Sequence, residues 1–84
     1  MANEEQLSIL KQGVEVWNGW REENLDVEID LSKADLTEAN LRYANLSRAV
    51  LSGADLAEAK VTEKQLATAK SLKGATMPDG KKHN

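Results

Sequence analysis

From Ile29 to Glu63 the chain repeats itself every five residues: IDLSK, ADLTE, ANLRY, ANLSR, AVLSG, ADLAE, AKVTE. Ala34, Ala39, Ala44, Ala49, Ala54 and Ala59 hold the first slot, and Leu31, Leu36, Leu41, Leu46, Leu51, Leu56 and Val61 hold the third. Neither standard element tolerates that spacing. Five residues advance an α-helix by about 500°, so the leucines would wind around its whole surface instead of forming one buried stripe. In a continuous strand, side chains alternate with period two, and an odd spacing sends successive leucines to opposite faces. The remaining solution keeps Ala and Leu on one face of a short extended piece and bends the chain before the next pair. Bends of one hand wind the chain into a solenoid that collects every Ala and Leu inside. The other slots are mostly polar, as water-facing positions should be: Asp30, Ser32, Lys33, Asp35, Thr37, Glu38, Asn40, Arg42, Asn45, Ser47 and Arg48.

The strings ADLTE, ANLRY, ANLSR and ADLAE resemble the A(D/N)LXX unit of pentapeptide-repeat proteins. That resemblance implies a right-handed quadrilateral β-helix with four pentads to a coil, the central Leu and the preceding Ala pointing inward. Ile29, Val50 and Val61 depart from the pattern without disturbing the inward slots seriously. The expected architecture is an all-β solenoid of about two coils with helical caps, forming one structural domain. Residues 1–28 would be an N-terminal capping helix and linker, 29–63 the β-helix, and 64–84 a C-terminal capping helix, a last irregular rung and a tail.

With 84 residues, the chain is near the size where a core alone barely suffices, so the flanks must contribute. There is no cysteine, which excludes disulfides and thiolate metal sites and fits a reducing compartment. No apolar run approaches the length of a membrane span and the N-terminus has no signal-peptide pattern, so the expected location is cytoplasmic, with no membrane partner. A net charge of −3 argues weakly against direct nucleic-acid binding.

A solenoid exposes unpaired backbone and raw core at each end, which invites aggregation unless something covers them. Residues from about Asn3 to Trp20 read as one amphipathic helix. Asn3 can N-cap it, Glu4 and Glu5 suit its first turn, and Leu7, Leu10, Val14 and Trp17 share a face. Gly13 weakens it. The helix is expected to cover the first coil, with Trp17 and Trp20 as alternative contacts for a homodimer or partner. After Val61 the next small slot is Lys64, whose ammonium the interior would not accept. Thr62 and Gln65 instead form a capping-box pattern with Val61 and Leu66 as the hydrophobic staple, predicting a short helix from Glu63 to about Lys70. Gly74 can end that segment. Leu72, Ala75 and Met77 return apolar groups as one imperfect pentad in shifted phase, either completing a coil or lying across its end. Pro78, Asp79 and Gly80 make a turn, and Lys81 to Asn84 should be a mobile tail.

Catalytic chemistry is not legible. His83, the one histidine, sits in the tail; no nucleophile triad, glycine-rich phosphate loop or metal spacing occurs, so no enzyme activity and no cofactor or metal are expected. At the family's twenty residues per coil, positions twenty apart stack at strand separation, about 4.8 Å. Asp35 then lies over Asp55 and Glu38 over Glu58, an acidic face that is either a docking surface or ordinary solvated surface. Arg42, Tyr43 and Arg48, on the third and fourth faces, rival it as a binding site.

The leading functional expectation is a non-catalytic scaffold presenting flat faces to a protein partner. Some family members confer fluoroquinolone resistance by resembling duplex DNA and binding DNA gyrase. Fewer than two coils rise only about 10 Å, against roughly 34 Å for one turn of DNA, so the chain is too short for that role. A third possibility is a structural subunit that oligomerises through its Trp-bearing helix.

Overall fold

The computed structural model describes all residues 1–84. Each of the first six pentads closes a four-residue turn in which the following Ala N–H donates to the Leu C=O, as in Ala39 to Leu36 at 3.1 Å and Ala54 to Leu51 at 3.0 Å. The residue before each Ala is left-handed: Lys33, Glu38, Tyr43, Arg48 and Glu58 have φ of 60 to 68°, and Gly53 has φ 70°. For a residue bearing a Cβ this conformation costs about 1–2 kcal/mol. The N–H groups of those residues recover part of it across the coil. Lys33 donates to Ser52 C=O and Glu38 to Ala57 C=O, both at 2.9 Å.

Between the turns the backbone runs alongside itself in parallel. Asp30 pairs with Val50, Asp35 with Asp55 and Asn40 with Lys60, each twenty residues apart. Each pairing is a single pair of residues, and no extended run is long enough to build a continuous sheet. Part of each pentad's backbone is used in the ladder and the rest in turns, which is why extended runs never lengthen. Inside sit Ile29, Leu31, Leu36, Leu41, Leu46, Leu51 and Leu56 with Ala34, Ala44, Ala49, Ala54 and Ala59, all buried. The third slots thus face one interior, as the five-residue spacing requires. Ala39 and Val61 are only partly buried and pack against the same cluster.

The N-terminal segment forms two helices, α1 (Glu4–Lys11) and α2 (Val14–Glu23), instead of the single helix expected to Trp20. Gly13 is the cause: at φ 120° and ψ 159° it occupies a region open essentially to glycine alone. The chain reverses there, so both helices pack against the first coil. Asn3 caps α1, its side chain accepting from Gln6 N at 3.0 Å.

At the other end, α3 (Glu63–Ala67) has the expected capping box: Gln65 N donates to Thr62 Oγ1 at 3.1 Å and Thr62 N to Gln65 Oε1 at 3.0 Å. It stops at Ala67, short of Lys70, because Lys70 N turns back to Ala49 C=O at 2.8 Å. Lys64 lies on the helix in solvent. Beyond α3 the ladder resumes one residue out of step, Val50 with Ser71 and Asp55 with Thr76, twenty-one apart. The irregular last segment therefore adds two rungs to the coil, with Ala75 fully buried. The tail is also paired, contrary to the expectation that it moves freely. Thr76 bridges Lys82 antiparallel, Gly74 N donates to His83 C=O at 2.8 Å, and His83 N donates to Ala75 C=O at 2.7 Å. Gly80, at φ 87°, makes the reversal after Pro78 and Asp79.

Candidate functional site

The second slot of each pentad carries a side chain with a structural task. Asp35 Oδ1 accepts from Thr37 N at 3.1 Å and Thr37 Oγ1 at 2.7 Å, and Asp30 does the same for Ser32. Asn40, Asn45 and Asp55 accept from the backbone N–H two residues on. These contacts hold the approach to each turn and account for Asp or Asn at that slot. The Thr37 hydroxyl, with its N–H, holds the Asp35 carboxyl below the usual carboxylate range, and Ser32 acts likewise on Asp30. Hydrogen bonds to the ionised form are the cause.

Asp35 bridges Asp55, and the turn bearing Glu38 bonds the one bearing Glu58 through Glu38 N to Ala57 C=O, so the four carboxylate residues are brought onto one side of the molecule. Glu38 and Glu58 are exposed at left-handed corners, whereas Asp35 and Asp55 are occupied by their own turns. Arg42 and Tyr43 share a shallow recess with Thr62 and Gln65, Tyr43 being 87 % exposed. Arg48 stands apart from them. It lines a groove of about 530 Å³ with Arg21, Val27, Val50 and Lys70.

The two tryptophans lie differently from a surface pair. Trp17 is fully buried, its Nε1 donating to Asn45 C=O at 2.9 Å, so it belongs to the core and not to an external contact. Trp20 is half-buried, its ring 5.6 Å from that of Trp17.

Three helix residues outside the apolar pattern hold the edge of the first coil. Gln6 donates through Nε2 to Glu28 C=O and accepts from Asp30 N. Asn18 donates to Tyr43 C=O and accepts from Asn45 N. Arg21, 4 % exposed, donates to Asn45 C=O at 2.8 Å and Ser47 C=O at 2.9 Å, with its guanidinium 5.9 Å from the Trp17 ring centre. Burial, and then the nearby charge of Arg48, lower its pKa from the usual arginine value. The signal was present in spacing. Gln6 and Arg21 fall four residues from Leu10 and Trp17 on the apolar face, where a polar side chain needs a buried partner.

No cluster of three or more His, Cys, Asp or Glu is placed to hold a metal. No helix is long and apolar enough to cross a membrane. No curated protein and no solved structure gives a significant match to the chain. The family model for pentapeptide repeats matches residues 29–63 in eight copies, over the same residues as the seven contiguous pentads. With its buried alanines and leucines, its turn in six of the seven pentads and its match to that model, the stretch from Ile29 to Glu63 is an array of pentapeptide repeats.

Proposed function

We propose that the chain is a non-catalytic scaffold: a right-handed quadrilateral β-helix, closed by helices, that presents its flat sides to a protein partner in the cytoplasm. The observation that carries this reading is the stacking of outward residues in columns, Asp35 with Asp55 and Asn40 with Lys60, on a backbone tied by hydrogen bonds over a dry interior. Such a surface holds side chains at fixed separations and loses little entropy on binding. Two sides compete as the contact. Glu38 and Glu58 offer a doubled negative charge at one corner, and Arg42 with Tyr43 offers the residue types enriched in interface cores. The scaffold uses neither metal nor cofactor.

The test is affinity capture from native lysate with the intact protein, with Glu38→Lys/Glu58→Lys and with Arg42→Glu/Tyr43→Ala. Loss of one specific protein in the first variant alone assigns the acidic corner, and loss in the second alone assigns the Arg42 recess. Identical catches from all three proteins, or no specific catch at all, reject the lateral surfaces as the contact.

A further inference from the structure

In the second coil, the N–H and C=O of Val50, Asp55 and Lys60 and the C=O of Ser52 and Ala57 point toward the first coil. Asp55 N donates to Ala34 C=O, Asp55 C=O accepts from Leu36 N, and Ala57 C=O accepts from Glu38 N. In the first coil the equivalent groups face away from the array. On two sides the helices fill all of them except the Ser32 C=O. Asp30 N donates to Gln6 Oε1 and Asp30 C=O accepts from Asn3 N, both at 2.8 Å. Asn45 N donates to Asn18 Oδ1 at 2.7 Å, and Trp17 and Arg21 serve Asn45 C=O and Ser47 C=O. On the other two sides nothing does. The N–H and C=O of Asp35 and Asn40, and the C=O of Thr37 and Arg42, have no partner within the chain. A groove of about 500 Å³ opens beside them between the α1–α2 turn and the coil, lined by Leu10, Leu36 and Leu41, with Lys11 and Asp35 as its charged residues.

We propose that this edge receives an extended peptide as one further parallel rung, with a small residue and an aliphatic residue two apart entering beside Leu36 and Leu41. The complement is defined by the fold itself: on the opposite edge the same two pentads are already paired with such a segment through Asp55 and Lys60. Unpaired strand edges bind extended chains through main-chain hydrogen bonds, with pockets for alternate side chains. One cation and one carboxylate leave the groove without net charge, so an uncharged aliphatic segment suits it better than an acidic or basic one. The proposal does not depend on the lateral-surface reading, because it uses backbone groups and not Glu38, Glu58 or Tyr43.

The probe is the uncharged peptide acetyl-ANLTQANL-amide, with a second version N-methylated at both leucines, added at millimolar concentration to the full-length protein. The readout is residue-resolved amide hydrogen exchange with ¹H–¹⁵N shifts. At saturation the Asp35 and Asn40 amides should exchange about tenfold more slowly while those of Asp30 and Asn45 stay unchanged. The N-methylated peptide, lacking the donors, should leave all four unchanged. Unaltered exchange at Asp35 and Asn40, equal protection by the methylated peptide, or protection that rises with protein concentration alone would each overturn the proposal, the last by identifying a second copy as the occupant.

Discussion

Gln65 is where the C-terminal helix meets the ladder, and replacing its amide nitrogen by oxygen isolates that junction. In Gln65→Glu the capping box survives, because a glutamate oxygen accepts from Thr62 N as the glutamine oxygen does. What disappears is the donor that Nε2 supplies to Leu41 C=O at 2.8 Å and Ala44 C=O at 2.9 Å. Two lost hydrogen bonds cost about 0.5–1.5 kcal/mol each. Facing two carbonyl oxygens with a half-buried carboxylate raises the total to about 2–4 kcal/mol. A chain of this length has only about 4–13 kcal/mol in all, and the loss corresponds to a Tm lower by about 10–30 °C. The carbonyls disfavour the charged form, so the introduced carboxyl has a folded pKa above its unfolded value of about 4.3. The deficit is therefore fully expressed above that raised pKa and shrinks as pH falls from there to the unfolded value, below which the protonated group again donates. Thermal and urea unfolding followed by far-UV circular dichroism at pH 7 and pH 4 reads both effects, with Gln65→Ala as the control that carries no charge. A Gln65→Glu protein within about 0.5 kcal/mol of the wild type at pH 7 would refute the claim that this amide completes the ladder.

Leu51 is fully buried in the middle of the array, and Leu51→Ala should cost about 2–5 kcal/mol in urea unfolding. Gly13→Ala and Gly53→Ala separate two kinds of glycine. At Gly13 an added methyl would meet open space, but φ is 120°, and the change should cost about 1–3 kcal/mol. Gly53, at φ 70° with only the flexible Lys33 Cγ at 3.2 Å from an added methyl, should cost about 1 kcal/mol. Thr37→Val removes a hydroxyl donor, so an NMR titration should show the Asp35 pKa rising toward the ordinary carboxylate value. In the wild type, Asp30 and Asp35 have folded pKa values below their unfolded ones. The stability they contribute is present above the usual carboxylate range and is lost as pH falls through the depressed values, which acid unfolding monitored by tryptophan fluorescence checks.

The burial of Leu31 through Leu56 was legible because a five-residue spacing leaves one arrangement that gathers them. The capping box at Thr62 and Gln65 was legible because it is local. Long-range consequences were not. Gly13 read as a weak point in a helix, since its φ depends on where α2 must dock, and the tail looked free because its partners, Gly74, Ala75 and Met77, are apolar or glycine and give no side-chain signal. The surface columns could be placed once twenty residues per turn of the coil was assumed. That Asp35 and Asp55 serve their own turns was hidden by reading them as charges when they act as hydrogen-bond acceptors. The edge-holding role of Gln6, Asn18 and Arg21 required knowing which carbonyls lay opposite.

The helices at the two ends are keyed to the same stretch of the first coil: α2 grips Asn45 and Ser47 from one side, and Gln65 grips Leu41 and Ala44 from the other. The repeat count is therefore quantised. A longer relative built by duplication must gain whole sets of four units, inserted between Ser47 and Thr62, for both terminal helices to keep their alignment. Adding a single unit would swing one terminus a quarter of the way around and leave its side chains facing the wrong carbonyls.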